Sequence, residues 1–295
     1  MSLWSNYVIP DSVAGALQAL ATAPGPARPV AGGTDLLLEL QQGRHSPLDT
    51  LVDITHIPEL NCLEMRQERL FIGAAVNVRT VTTSPLVRTH APAVSEACDL
   101  IGGPQVRNTA TLGGNVAHAL PAADGMIALC AMDAQAEIAS PEGTRLEPIL
   151  DLFRGPGLSS LQPQRDLLVG FYIQARRPGQ ASAFNRIMRP QGVALPILNT
   201  AVWLQRTGDR IQSIRIVFGP SGPVPQRARA LEEALTGYAY AGQPPQSTQE
   251  IIAASLRFRS SPQRASAEYR YQLSQVLLES TIQKAWQRAE SIEVV

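Results

Sequence analysis

Two glycine pairs are the residues of this chain best suited to hold an anion: Gly32-Gly33, within Ala31-Gly32-Gly33-Thr34-Asp35-Leu36-Leu37, and Gly113-Gly114, within Thr111-Leu112-Gly113-Gly114-Asn115. Consecutive glycine amides flanked by Thr, Asp or Asn can converge on one point and form an anion nest without a cationic side chain. Two such nests could hold one diphosphate. A lone Gly-Gly at a strand end is by default a turn; two such segments together point to an anion. Neither fits G-x-G-x-x-G or G-x-x-x-x-G-K-S/T, which excludes the Rossmann dinucleotide fingerprint and the P-loop.

Other reactive side chains are sparse. Cys62, Cys98 and Cys130 are odd in number, widely spaced and without a C-x-x-C element, so they read as buried thiols in a reducing compartment. They cannot ligate an iron–sulfur cluster by themselves. His118, three residues past the second glycine segment, reads as a structural histidine. With 25 basic and 25 acidic residues the chain carries no net charge, which excludes an electrostatic footprint for nucleic acid or anionic membrane and favours small or protein partners. The first ten residues lack a basic and apolar leader pattern, and no apolar run approaches a membrane span of about 18 residues. A cytoplasmic protein is expected.

The elements that must position the glycine pairs are of mixed type. Tyr7 to Ile9 predicts a strand, and Asp11 or Ser12 caps a helix with Val13, Ala16, Leu17 and Leu20 on one face. Arg28 to Ala31 is a strand running into the first pair, Asp35 to Gln42 a helix, and Leu51 to Ile54 the next strand. Strands at 63–66 and 69–74 precede a helix capped by Asn77, helices at 85–90 and 91–100, and the second glycine segment. A buried helix over 125–132, a strand over 134–140 with a turn at 141–143, and a strand over 167–173 close this block. The segment Arg176 to Gln180 has linker composition. Beyond it, strands at 183–188, 198–204 and 211–217 precede three helices: Gln226 to Leu235, one begun by a Ser247/Glu250 capping box, and a long one over 265–289. This is an α+β arrangement with no internal repeat.

One run is specific enough to carry a resemblance. Ile101-Gly102, then Gln105-Val106-Arg107-Asn108-Thr109-Ala110-Thr111-Leu112-Gly113-Gly114-Asn115, with Ala31 to Asp35 before it and Asp124 nine residues after it, resembles the FAD-binding medium subunit of molybdenum-containing hydroxylases. That group includes the flavin subunits of bacterial xanthine dehydrogenase and carbon monoxide dehydrogenase. The likeness covers nearly the whole chain. It implies an FAD-binding domain of the PCMH (vanillyl-alcohol oxidase-like) type over residues 1–177, built of two α/β subdomains that divide near 55–62. A carbon monoxide dehydrogenase flavoprotein-type domain over 178–295 would follow, with a three- to four-stranded antiparallel sheet packed on helices.

The resemblance also implies site residues. Ala31, Gly32, Gly33, Thr34 and Asp35 would wrap the FAD diphosphate from one side, and Thr111, Gly113, Gly114 and Asn115 from the other. Asp124 would contact the flavin nucleotide, accepting from a ribose hydroxyl; the alternative is an N-cap for the helix over 125–132. Ile101 would lie near the isoalloxazine, or simply end a helix in the core. Leu168 would contact adenine or flavin. Arg186 matches a basic residue near the flavin, with Arg189 as its rival, and Arg107 would neutralise phosphate or fix its loop through carbonyls. Covalent attachment in related folds uses a side-chain nucleophile where this chain has Thr34, so non-covalent FAD is expected.

Flavin converts between one-electron and two-electron transfer. The resemblance therefore implies an oxidoreductase subunit that accepts electrons from a small partner with two 2Fe–2S clusters, itself fed by a large molybdopterin subunit, and passes them to NAD or another acceptor. Xanthine or another purine is the leading substrate of such a complex. The alternatives are a free-standing flavin oxidase acting directly on a small substrate, and a non-redox nucleotide-binding module.

Overall fold

The structure, a computed structural model, describes residues 2–189, 195–262 and 264–290. It begins with a small parallel sheet. β1 (Trp4–Val8), α1 (Val13–Thr22), β2 (Ala27–Val30), α2 (Leu36–Gln41) and β3 (Leu48–Asp53) place β3 between β1 and β2, both parallel to it. The first strand starts earlier than the sequence suggests and ends before Ile9, because its partners run from Trp4↔Leu48 to Val8↔Val52. Ser12 caps α1 by accepting from the Gly15 amide, and Ala16 and Leu20 on its inner face are fully buried.

A second, antiparallel sheet follows. Its strands are β4 (Leu63–Arg66), β5 (Arg69–Gly73), β6 (Gln135–Ser140), β7 (Gly143–Pro148) and, after the short hairpin of β8 (Phe153–Gly155) and β9 (Leu158–Ser159), β10 (Leu167–Gln174). The order β4-β5-β10-β6-β7 puts β10 at the centre. Between β5 and β6 the chain forms α3 (Val78–Thr83), α4 (Pro85–His90), α5 (Pro92–Asp99), α6 (Pro104–Thr109), α7 (Leu112–Ala117) and α8 (Asp124–Ala131). The sequence pattern does not separate α6 and α7, of six residues each; α6 precedes the second glycine segment and α7 contains its two glycines. All eight residues of α8 are buried, which needs cover on every side. The cover comes from α5, α7 and the third sheet.

That third sheet, β11 (Gln180–Met188), β12 (Pro196–Thr207), β13 (Arg210–Gly219) and β14 (Gln226–Arg227), is antiparallel throughout. With α9 (Arg229–Leu235), α10 (Thr248–Ser255) and α11 (Ala267–Glu290) it makes the four-stranded, helix-backed C-terminal domain that the resemblance implies. Leu278, Ile282, Ala285 and Ala289 on α11 are buried in its core. Two local expectations fail. Gln226 and Arg227 pair with β13 rather than starting a helix, held there by Arg227 donating to both carboxylate oxygens of Glu232 at 3.0 and 2.6 Å. Ser247 has helical backbone angles and no capping bond, while Thr248 turns back onto the Pro245 carbonyl, so the capping box does not form.

The domains are joined by polar contacts as well as by packing. Glu96 on α5 accepts from the Phe184 amide at 2.9 Å and from Lys284 at 2.8 Å, and pairs with Arg288. Burial alone would raise the Glu96 carboxyl, but the bonds from Arg288 and Lys284 hold it below its usual value. Ser182 accepts from the Ala93 amide, and Arg215 donates to the Ala131 carbonyl at 2.9 Å.

Candidate functional site: a cleft between two glycine loops

The three sheets meet around one cleft of about 1180 Å³. Of the residues the resemblance implies, thirteen line it, from Ala31 to Arg186, and Arg107 and Arg189 do not. They arrive from different elements of all three sheets and the helices between them.

The first loop leaves β2 at Val30, whose carbonyl accepts from Ile54 at 3.0 Å and anchors the strand end. Gly33 then takes a φ of +64°, a left-handed conformation natural to glycine, and its carbonyl accepts from Leu37 at the start of α2. Among the described residues no acceptor meets the amides of Gly32, Gly33, Thr34, Asp35 or Leu36. Five donors are thus free at the cleft wall and at the start of a helix, the arrangement that suits an anion. Gly32 has a further reason to be glycine. A Cβ there would lie 2.2 Å from the carbonyl oxygen of Thr109, so the two motifs touch backbone to backbone.

The second segment differs from the nest its sequence suggests. The amides of Leu112 and Gly113 donate to Val76 and Ala74 carbonyls at 3.2 and 3.1 Å, that of Gly114 to Thr111 Oγ1 at 3.0 Å, and that of Asn115 to the Thr111 carbonyl at 3.1 Å. Thr111 is the N-cap of α7, and two of these donors are consumed in starting that helix and two in docking it on the 74–76 segment. What the segment offers the cleft is an open surface at Gly114, exposed and with Thr111 Oγ1 as the nearest atom at 3.2 Å, and the side chain of Asn115. Asn115 Oδ1 accepts from Met126, leaving its amide group free. Arg107 donates to the carbonyls of Ile101 and Gly102 at 3.3 and 2.8 Å, so it shapes the loop that presents half-buried Ile101.

Asp124 is the first residue of α8 and caps nothing; Ala123 holds the N-cap position. Instead its Oδ2 accepts from Arg186 Nη1 at 2.5 Å and its Oδ1 from Asn199 Nδ2 at 2.6 Å, with Asn199 also donating to the Ala122 carbonyl at 3.1 Å. Burial pushes the carboxyl up to about 6, outweighing the opposing pull of Arg186 and Asn199. Arg186 Nε and Asn199 Oδ1 are buried without partners. Of the two arginines, Arg186 faces the cleft, while Arg189 donates to the Arg264 carbonyl at 3.4 Å. Leu168, on central strand β10, is nearly buried beneath the cleft floor.

The cleft also contains residues that sequence reasoning did not bring in. Glu39 on α2 meets His45 Nε2 at 3.1 Å and His118 Nε2 at 3.7 Å, so one carboxylate bridges the helices that carry the two glycine motifs. Leu158, 62 % exposed at the tip of the β8–β9 hairpin, overhangs the opening. Its signal was a large apolar residue next to Pro156-Gly157, a turn with nothing to pack against. From the C-terminal domain come Arg259, Arg264 and Arg270, read in sequence only as loop and helix. No group of three or more His, Cys, Asp or Glu among the described residues is arranged to hold a metal. Cys98 and Cys130 lie in the core, where burial pushes both thiols up. No helix among the described residues is long and apolar enough to cross a membrane.

Comparison with known proteins agrees with this layout. A family model described as the FAD binding domain in molybdopterin dehydrogenase matches residues 3–173, and one described as the CO dehydrogenase flavoprotein C-terminal domain matches residues 182–285. The chain is 30 % identical over 285 residues to the xanthine dehydrogenase FAD-binding subunit of Escherichia coli O157:H7, covering 96 % of each. It is 31 % identical over 284 residues to the nicotine 6-hydroxylase medium subunit of Paenarthrobacter nicotinovorans, covering 96 % of this chain and 98 % of that one. Among solved structures, a chain of carbon monoxide dehydrogenase from Hydrogenophaga pseudoflava superposes with a TM-score of 0.89 at 27 % identity, covering 98 % of this chain and 99 % of that one.

Proposed function

Because the chain belongs to the FAD-binding subunits of the molybdenum hydroxylases, we propose that it is the electron-relay subunit of a complex, loaded from an iron–sulfur partner and discharged to NAD or another acceptor. What FAD supplies when bound is the change between one-electron and two-electron transfer. Everything else is the work of the chain's own residues.

The observation that carries the reading is the set of free amides from Gly32 to Leu36 at the wall of a cleft large enough for a dinucleotide. These donors would hold the diphosphate, their positive ends replacing water without side-chain charge. Gly114 leaves room on the facing wall, and Asn115 adds a donor from its free amide group. Ile101 would cover a ring face, with Leu168 below, so that apolar contacts seat the aromatic part. Arg186, held by Asp124, would present a fixed positive charge to the cleft. Thr34 is no ready nucleophile, so attachment is non-covalent.

The electron donor must be another chain. Cys62, Cys98 and Cys130 are far apart in sequence, and two of them are sealed in the core. We place an iron–sulfur subunit and a molybdopterin subunit as partners, by analogy with relatives named as subunits or medium chains of dehydrogenases and hydroxylases. Those relatives are named for xanthine, nicotine and carbon monoxide at similar identity, so the substrate is chosen elsewhere in the complex. A purine such as xanthine is the substrate we propose.

The test is direct. The full chain, purified without flavin and titrated with FAD, should quench flavin fluorescence and retain FAD through gel filtration. Co-expressed with its iron–sulfur and molybdenum partners, its flavin band should bleach on adding xanthine without oxygen. Bleaching by a small substrate with the isolated chain would instead favour the free-standing oxidase.

A further inference from the structure

The arginines that the C-terminal domain sends into the cleft are not explained by the fold. Arg270, in the first turns of α11, is 3 % exposed, and its Nε is buried without a partner. Its Nη1 donates to the Arg259 carbonyl, which leaves the positive charge uncompensated. Arg264 and Arg259 are close enough that their charges, added to burial, press the Arg270 guanidinium below the usual arginine range. Among the described residues none of the three forms an ion pair with a carboxylate, and Glu268, the nearest in sequence, is exposed. A neutral chain with 25 acids has therefore gathered three guanidiniums, with the hydroxyls of Ser260 and Ser261, on one wall.

Described residues beside them are tied to α11 and its approach. Ser260 Oγ accepts from Ala267, Ser266 Oγ from Tyr269, and Ser261 bridges to Ala265. Like charges fixed beside a buried guanidinium are unfavourable unless something anionic sits between them. Arginine forks match the tetrahedral oxygens of phosphate and bind them through more than one N–H.

We propose that Arg259, Arg264 and Arg270 form a phosphate-binding wall of the cleft, opposite in origin to the amide loop of Gly32 to Leu36 and contributed by the C-terminal domain. The inference rests on the reading of the cleft as the FAD seat. Its ligand is a phosphorylated nucleotide: either FAD itself, gripped by both domains, or a second nucleotide that brings its own diphosphate to the loaded flavin.

The experiment uses the full chain, the double variant Arg259→Gln/Arg264→Gln, whose side chains are exposed or half-exposed, and Arg270→Lys, which keeps the buried charge. Circular dichroism and unfolding midpoints confirm that the variants fold. Inorganic pyrophosphate is titrated into the flavin-free chain by calorimetry, FAD into the same chain by fluorescence, and ADP-ribose into the FAD-loaded chain. The wall predicts at least about a tenfold loss of pyrophosphate affinity in the double variant, a loss of about 1.4 kcal/mol. A matching loss for FAD identifies the flavin diphosphate as the ligand. Unchanged FAD with weakened ADP-ribose identifies a second nucleotide. Pyrophosphate, FAD and ADP-ribose all binding the double variant as they bind the parent would overturn the proposal. If the parent chain takes pyrophosphate in an arginine-dependent way but not FAD, the FAD reading fails and the wall stands.

Discussion

Arg186 and Asp124 form a buried ion pair across the junction of the two domains, at 2.5 Å and with side chains only 6 % and 5 % exposed. Taking both charges out of water costs more than a surface pair would, and the raised carboxyl shows that burial is the larger effect here. The pair is therefore a link whose strength depends on proton concentration near neutrality.

Arg186→Ala should leave Asp124 buried without its countercharge, held only by Asn199, and cost about 3–5 kcal/mol of stability at neutral pH, as breaking one side of a buried pair does. Denaturant unfolding measures it. A cost below about 1 kcal/mol would mean that the pair is hydrated in solution.

The pH dependence has a definite sign. The folded carboxyl titrates near 6 and the unfolded one near 3.8, so the folded protein binds the extra proton between them. Stability contributed by this group therefore rises as pH falls through that window. Asp124→Asn removes that slope, so parent stability minus variant stability should be more positive at about pH 5 than at about pH 7.5. An equal difference at both would refute the assignment.

Glu96 works the other way. Its carboxyl is held below the usual value of 4.5, so its contribution is present above that pH and is lost as pH falls through the lower folded value. Glu96→Ala removes the acceptor for the Phe184 amide and for Lys284 and Arg288. The expected loss at neutral pH is about 1–3 kcal/mol. Acid unfolding of the variant should show a shallower fall than the parent below about pH 4.5.

The four glycines should separate by substitution to alanine. Gly32→Ala drives a Cβ into the Thr109 carbonyl and should lose both stability and flavin, with about 1–3 kcal/mol of overpacking or more. Gly33→Ala pays about 1–2 kcal/mol for the left-handed backbone. Gly113→Ala meets Ala74 backbone and behaves like Gly32→Ala. Gly114→Ala meets only a hydroxyl at 3.2 Å, so its unfolding midpoint should stay near the parent's while bulkier Gly114→Val lowers FAD retention. Parent-like flavin content in Gly114→Val would remove that wall from the seat.

Thr111→Ala tests how the second segment is spent. Its hydroxyl caps α7 through the Gly114 amide, so a loss of about 1 kcal/mol is expected in thermal or denaturant unfolding.

Much of this was legible because the signals are local. Ser12 before an apolar 3.6-residue pattern, the Thr-Gly-Asp turn between β12 and β13, and the wholly apolar run of α8 each announce an element within a few residues. What the sequence could not show depends on pairs distant in the chain. Asp124 has the spacing of a helix cap, yet its partners Arg186 and Asn199 arrive from two strands of another sheet. The second glycine pair has the composition of a nest, but the Val76 and Ala74 carbonyls, reached only on folding, take its amides. Arg227 had no visible reason to leave a helix until β13 lay beside it.

The close approach of Gly32 to Thr109 makes the first glycine loop dependent on a distant stretch of chain. The first loop is packed directly against the segment ending at Thr109, and the cleft wall includes residues as distant in the chain as Arg270. A ribosome-bound chain stopped after the first parallel sheet would carry the glycine loop but no seat. The wall that faces an incoming nucleotide is thus drawn from segments more than two hundred residues apart, and no short fragment of the chain contains it.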